Sequence, residues 1–173
     1  MTVSDDLDRT FREAAAAAGL IDAAYDLADT PLGTLLVATT DRGLDELSES
    51  FGRRVLRVPR RVDGARRELD EYFDRRRTEF DLPMDLSHVP GFQLTVLHEL
   101  ARVPYGEVTT YGTLAARVGK PRAARAVGGA MHSNPIPIVL PCHRVVGASG
   151  SLTGYGGGLD RKEWLLRLEG ALL

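Results

Sequence analysis

Between Ala23 and Leu47 the apolar positions come in short runs broken by turn residues. Ala23-Ala24-Tyr25-Asp26-Leu27 and Thr34-Leu35-Leu36-Val37-Ala38-Thr39 flank Thr30-Pro31-Leu32-Gly33, which reads as strand, turn, strand. Asp41-Arg42-Gly43 marks the next turn, and Leu44–Leu47 a weak third strand. On either side the spacing becomes helical. Residues 7–18, with Phe11-Arg12-Glu13 and a run of five alanines, close on Gly19 and predict a short helix stopped by a C′ glycine. Val62, Ala65, Leu69, Tyr72 and Phe73 predict an amphipathic helix from Val62 to Arg77. The loop Leu82–Pro90, with Pro83 and Pro90, is the best boundary, giving an N-terminal domain over 1–85 and a second over 90–173.

The second domain opens with Phe92, Val96, Leu97, Leu100 and Val103, a helix halted before Pro104. Tyr105-Gly106-Glu107-Val108 makes a turn; Thr110 caps a helix through Leu114 and Val118 that ends at Gly119, and Pro121 sits early in the next. A three-residue break, Gly119-Lys120-Pro121, is the spacing of a helix-turn-helix. It is equally that of an ordinary helical hairpin with a solvated basic face. In the second helix Ala124, Val127, Gly128 and Met131 form a face suited to a core, and Arg122, Arg125, Gly129 and His132 one suited to phosphate or groove contacts. Pro135–Leu140 reads as a buried strand leading to Pro141-Cys142-His143-Arg144-Val145-Val146, and Gly154-Tyr155-Gly156-Gly157-Gly158 as a flexible loop. Asp160 and Glu163 predict a capping box, Leu159 and Trp164 a staple, and the last helix runs to Gly170 with Trp164, Leu165 and Leu168 apolar. The expected fold class is α+β: a small N-terminal antiparallel sheet with a helix, then a mostly helical domain with a helix-turn-helix.

Composition sharpens this. At 173 residues, 43% hydrophobic and 27% charged, the chain suits one generous domain or two small ones, and is too apolar to be disordered. The longest apolar run, Ile136–Leu140, is far short of a membrane span and is broken by Pro137. Met1-Thr2-Val3-Ser4-Asp5-Asp6 lacks the basic and apolar regions of a signal peptide, so the expected location is the cytoplasm. The net charge of −2 conceals a split: residues 1–89 hold 13 Arg, no Lys and 19 acids (−6), residues 90–173 hold 9 basic and 5 acidic residues (+4). A polyanion partner for the second half fits this, as does a chance imbalance between two surfaces. A single cysteine, Cys142, excludes an internal disulfide and any zinc site needing two thiolates.

A lone cysteine is most often a small buried hydrophobe. Three features raise a functional reading for Cys142. It follows an apolar segment and a proline, so it sits at an expected strand end; His143 and Arg144, whose positive charges would favour a thiolate, follow it; and the glycine loop lies a dozen residues on. Neighbours on a strand point to opposite faces, so His143 reaches Cys142 only if the strand turns there, or through a bridging water.

Pro141-Cys142-His143-Arg144-Val145-Val146 resembles the active-site signature of the O6-alkylguanine-DNA alkyltransferases, the methylated-DNA–protein-cysteine methyltransferases. The similarity runs without a gap from about Phe92 to Gly170, through Pro104–Glu107, Tyr111, Ala124–Met131, Asn134-Pro135, Gly154–Leu159 and Lys162–Leu166. The first half matches loosely, at Pro31-Leu32-Gly33 and the Leu69-Tyr72-Phe73 helix. The resemblance implies repair by irreversible transfer of an alkyl group from O6 of guanine, and O4 of thymine, to Cys142 as a thiolate, without cofactor or metal. It implies His143 as a base acting through water, Glu169 as the carboxylate that orients it, and Tyr111 as proton donor to the departing guanine. Residue types alone favour a solvated Glu169, and allow a core aromatic for Tyr111.

The same resemblance implies double-stranded DNA as partner, met through the minor groove by a monomer. Arg125 would enter the stack in place of a flipped-out base, and Arg122, Ala126, Gly128, Gly129, Ala130 and His132 would lie along the DNA. Met131, Asn134, Val145, Tyr155 and Gly156 would form the base pocket, with backbone carbonyls of Val145 and Cys142 facing the guanine amino group. His132 stands where several relatives carry arginine, Leu97 where bacterial ones often carry tryptophan, and the segment Met1–Leu20 has no counterpart. Three rivals explain less: a lesion-binding relative without the cysteine, a helix-turn-helix regulator with a redox cysteine, and a cysteine hydrolase, which would turn over repeatedly.

Overall fold

The structure, a computed structural model, describes residues 5–45 and 54–172. The chain forms two compact units, Met1–Asp85 and Leu86–Leu173.

The first unit is a mixed sheet with two helices. Helix α1 (Asp5–Ala17) precedes β1 (Ala23–Thr30), β2 (Gly33–Thr40), β3 (Gly43–Leu44) and β4 (Val55–Arg57), in the spatial order β3-β2-β1-β4. Strands β1 and β2 pair antiparallel through to Thr30 opposite Gly33, so Pro31-Leu32 is the two-residue hairpin loop. The third strand stops at Leu44 within the described residues, and Leu47 lies outside them. Strand β4 went unread in the sequence, and it joins β1 in parallel, so the sheet is not purely antiparallel. It escapes detection because arginines set its register: Arg54 binds Asp22 at 2.9 Å and Arg57 binds Asp26 at 2.6 Å, where an alternating pattern would need apolar side chains. Helix α2 (Asp63–Phe73) ends before the predicted Arg77, because Arg75 turns left-handed (φ +59°) and the last carbonyls bond to Arg75 and Arg76 N–H. Its Tyr72 is fully buried against Phe73 and Phe80.

The second unit contains α3 (Gly91–Leu100), β5 (Thr109–Thr110), α4 (Tyr111–Arg117), α5 (Ala124–His132), β6 (Val145–Val146) and α6 (Leu159–Leu168). Thr110 caps α4 by accepting from the Thr113 N–H at 3.1 Å, and Gly119 takes the left-handed conformation (φ +71°) after its end. The break before α5 is longer than the three residues expected. It spans Val118–Ala123, and Pro121 and Arg122 belong to a turn closed by Ala123 N–H on Lys120 C=O, ahead of the helix. Pro135–Leu140 is not a strand. Prolines 135 and 137 have no N–H to give a ladder, and the segment folds on itself through Leu140 N–H to Ile136 C=O at 2.9 Å. Strand β6 begins later and pairs in parallel with β5, Thr109 opposite Val145. The capping box at α6 also fails. The helix starts at Leu159 on Gly158 (φ +92°), so Asp160 falls inside the first turn, Glu163 pairs with Arg167 at 2.9 Å, and Leu159 stays exposed instead of stapling. Val96, Leu97, Leu100, Leu114, Val127, Leu140, Val145, Leu165 and Leu166 fill the core, each at most 1% exposed. Among the described residues no helix is long and apolar enough to cross a membrane.

Candidate active site

Cys142 opens a single 3-10 turn, Cys142–Arg144, rather than ending a strand. The turn lets three consecutive side chains leave a short stretch of backbone in different directions, which strand alternation forbids. Asn134 sets the approach: its Nδ2 donates to Leu140 C=O at 2.8 Å, its Oδ1 accepts from Ile136 N–H at 3.1 Å, and its amide acts to lower the Cys142 thiol. Cys142 N–H closes the segment onto Leu140 C=O at 2.8 Å.

His143 has no exposed surface, and its Nε2 lies 3.0 Å from Glu169 Oε1. An ionised carboxylate can only accept, so Nε2 carries the proton and Nδ1 presents a lone pair. Nδ1 is buried and has no partner among the described residues. Burial holds His143 below its ordinary value, against the pull of Glu169 and with the charges of Arg144 and Lys162, so the ring is neutral. Glu169, 6% exposed, is also gripped by Arg144: Nε to Oε2 at 2.9 Å and Nη2 to Oε1 at 2.8 Å. Arg144 Nη1 donates to Val103 C=O at 2.6 Å, and its guanidinium lies over the Tyr105 ring at 5.9 Å.

Two expectations about the thiol change here. Neither following residue supplies a cation to the sulfur, because Arg144 is committed to Glu169 and His143 is neutral. The positive charge that acts on Cys142 is Lys162, whose fully buried ammonium donates to the carbonyls of Val145 (2.6 Å), Thr153 (2.5 Å) and Gly154 (3.2 Å). Burial lowers Lys162 to about 8 while the charge of Cys142 holds it up. Burial raises the Cys142 thiol above its ordinary value, outweighing Asn134, the local backbone N–H groups and Lys162, so the resting sulfur keeps its proton. Sequence reading passed over Lys162 as a site residue. The signal lay in its spacing, since Lys162, Leu165, Leu166 and Glu169 share the buried stripe of the last helix.

The other named residues divide into two groups. Of the residues expected to form the base pocket, Met131 and Val145 are buried and Tyr155 is half-buried, with burial and the charge of Cys142 raising its phenol. A side chain at Gly156 would meet open space. The Val145 carbonyl already accepts from Lys162 and the Cys142 carbonyl from Val145 N–H. Tyr111 Oη donates to Thr153 C=O at 3.0 Å and lies 3.3 Å from Gly154 C=O. Along α5, Arg125, Ala126, Gly129 and His132 are exposed, as is Arg122 in the preceding turn. Ala130 is a correction: at 5% exposed it belongs to the buried side, with Val127 and Met131. Gly128 is half-buried, and a Cβ there would rest 4.0 Å from the Tyr111 ring, whereas one at Gly129 would touch nothing.

A family model described as 6-O-methylguanine DNA methyltransferase, DNA binding domain, matches residues 91–171. A methylated-DNA–protein-cysteine methyltransferase of Mycolicibacterium paratuberculosis is 48% identical over 151 residues, 84% of this chain and 91% of its own. The chain belongs to the methylated-DNA–protein-cysteine methyltransferase family. A second member of that family, from Methanosarcina barkeri, is 42% identical over 152 residues, 84% of this chain and 96% of its own. Among solved structures, Mycobacterium tuberculosis OGT in complex with DNA aligns with a TM-score of 0.76 at 43% identity, covering 86% of this chain and 93% of its own. Membership in the methyltransferase family makes the chain an alkyltransferase of DNA repair. The α+β class is shared with these methyltransferase structures.

Proposed function

We propose that the chain takes an alkyl group, such as methyl, from O6 of guanine or O4 of thymine in double-stranded DNA and keeps it on Cys142, once per molecule. One observation carries this reading: a neutral, buried His143, its Nε2 committed to Glu169 and its Nδ1 unengaged, stands in the same turn as the chain's single thiol. The base is placed and oriented before any substrate arrives.

The thiol proton passes through a bridging water to His143 Nδ1, and Lys162 stabilises the sulfur anion as it forms. Sulfur attacks the alkyl carbon; the S–C bond forms as the C–O bond breaks, and its electron pair returns to the guanine. Tyr111 gives the leaving base a proton, and solvent returns the proton held by His143 to the phenolate. The hydroxyl is bound to Thr153 C=O at rest, so it exchanges that bond for one to the base. No second step cleaves the thioether, which limits each chain to one transfer.

A thiol cannot reach O6 inside a stacked duplex, so the base is flipped out. Arg125 fills the gap it leaves, and the exposed face of α5 lies in the minor groove, where Ala126 and Gly129 add little bulk and Gly128 lets the helix approach closely. Arg122 and His132 meet phosphates, and Met131, Asn134, Val145, Tyr155 and Gly156 enclose the base. The second unit supplies the chemistry and the first a scaffold, in a cytoplasmic monomer that needs no cofactor. Intact-protein mass after incubation with DNA containing O6-methylguanine tests this. One added methyl per chain is expected, absent in Cys142→Ala; an unchanged mass, or many turnovers, defeats the reading.

A further inference from the structure

Arg144 is the buried charge to which the chemistry above gives no task. We propose that Arg144 is a positioning residue that saturates Glu169, so that the carboxylate orients His143 without drawing a proton onto it. The inference rests on the reading of His143 as the base for Cys142.

Glu169 receives four donors: Arg144 Nε and Nη2, His143 Nε2, and the Gly106 N–H at 3.4 Å from Oε2. Every part of that grip is itself anchored. Arg144 Nη1 is held by Val103 C=O, its guanidinium lies over Tyr105, and the Tyr105 hydroxyl donates to Leu168 C=O at 3.2 Å. A carboxylate has about four lone-pair positions, so this one has no room left for a proton.

The electrostatic consequence follows from the shared oxygen. His143 Nε2 and Arg144 Nη2 both bond Glu169 Oε1, which keeps the two nitrogens within about 6 Å of each other. Alone, a buried Glu169 would favour an imidazolium partner. With Arg144 already balancing it, the trio is neutral when His143 is neutral and carries +1 when it is protonated, a state that burial opposes. The charged and titratable groups acting on the ring are Glu169 and Lys162 from the last helix, and Arg144 and Cys142 from its own turn. Of the two cations, Arg144 is the one in contact with the carboxylate that would otherwise charge the ring. In the repair reaction this lets His143 accept the thiol proton rather than hold one in advance.

The test is the protonation midpoint and tautomer of His143, read by imidazole nitrogen NMR on the full chain and paired with single-turnover repair rates between pH 5 and 8. Arg144→Met is expected to raise the midpoint by about one pH unit or more, the effect of one charge at this range, and to move the acid limb of the rate upward with it. Arg144→Lys, which keeps the charge but cannot hold both oxygens, is expected to shift both readings less. It carries the test if Arg144→Met does not fold. A midpoint unmoved in a folded variant, or a rate at pH 6 that holds or rises, overturns the proposal. The NMR shift stands or falls independently of methyl transfer. A shifted midpoint in a chain that never gains a methyl would sink the repair reading and leave the Arg144–Glu169–His143 coupling in place.

Discussion

Both units bury charge, and they settle it differently. In the N-terminal unit Asp26 is 3% exposed, but its partners Arg57 and Arg66 are 52% and 39% exposed, and Asp85 is met by Arg42 at 68%. Each of these two acids is tied to an arginine whose head stays in water, which orders a strand or a turn and asks nothing further of the group. In the C-terminal unit His143, Arg144, Lys162 and Glu169 are all buried, and one nitrogen is left without a protein partner. Water-screened pairs are worth little each, whereas desolvated charges are costly unless their hydrogen bonds are made. A buried charge is therefore no sign of a site by itself. Several of them converging beside a nucleophile, with one lone pair unspent, is such a sign.

The sharpest way to break this contrast is to delete one group from each unit. Cys142→Ala should abolish methyl transfer to protein, while Asp26→Asn should leave the single-turnover rate unchanged; intact mass and rate measurements decide. In stability the order should reverse for Cys142 and hold for the charges. Glu169→Ala leaves Arg144 buried and uncompensated, an expected loss of about 3–5 kcal/mol, against about 1–3 kcal/mol for Asp26→Asn, whose hydrogen bonds involve solvated arginines. Equal losses in urea denaturation would erase the distinction.

Titration sharpens the comparison further. Burial pushes Asp26 up, but Arg57, the Leu27 N–H and Arg66 outweigh it, so its carboxyl ionises below the ordinary value. Its contribution to stability is complete above the unfolded carboxylate range and is lost as pH falls through its lowered value. Asp26→Asn should accordingly flatten the acid side of the stability curve. Lys162 behaves oppositely. The native ammonium discharges at about 8, while an unfolded lysine keeps its proton to about 10.4, so Lys162 adds stability as pH climbs between them. The repair rate should fall over the same interval, as the charge beside the thiol disappears. Rates and urea midpoints that move together would show that Lys162 acts on the fold alone. The smallest expected effect belongs to Gly129→Ala: about 1 kcal/mol more stable from helix propensity, with slower repair of duplex DNA and an unchanged reaction with the free alkylated base.

Much of this was legible in the sequence where local chemistry decides the outcome. The hairpin at Pro31-Leu32, the Thr110 cap, and the split of α5 into a face with Val127 and Met131 and a face with Arg125 and Gly129 follow from periodicity and turn residues. What stayed hidden depends on tertiary partners. Strand β4 is defined by Asp22 just before β1 and Asp26 within it; the 3-10 turn at Cys142 depends on Asn134 holding Leu140; and Arg144 reads as a neighbour of the thiol until Glu169 claims it. Lys162 stays hidden for a related reason. A lysine is almost never fully buried unless paired, and its partners here are three backbone carbonyls, which carry no side-chain signature.

Ile138, four residues before the thiol, has φ +78°, a left-handed conformation that a β-branched residue resists. Such a residue costs of order 1–3 kcal/mol and persists because its surroundings insist on it; here Asn134 grips the segment on both sides, at Ile136 and Leu140. For protein engineering this makes position 138 a trap. Glycine accepts the angle freely and so looks like a remedy. The same exchange discards a 5%-exposed side chain, a loss of about 2–5 kcal/mol that outweighs the strain relieved, and slackens the segment that leads to the nucleophile. Relaxing the backbone and filling the core pull in opposite directions at this residue, so a productive library must vary its buried neighbours along with it.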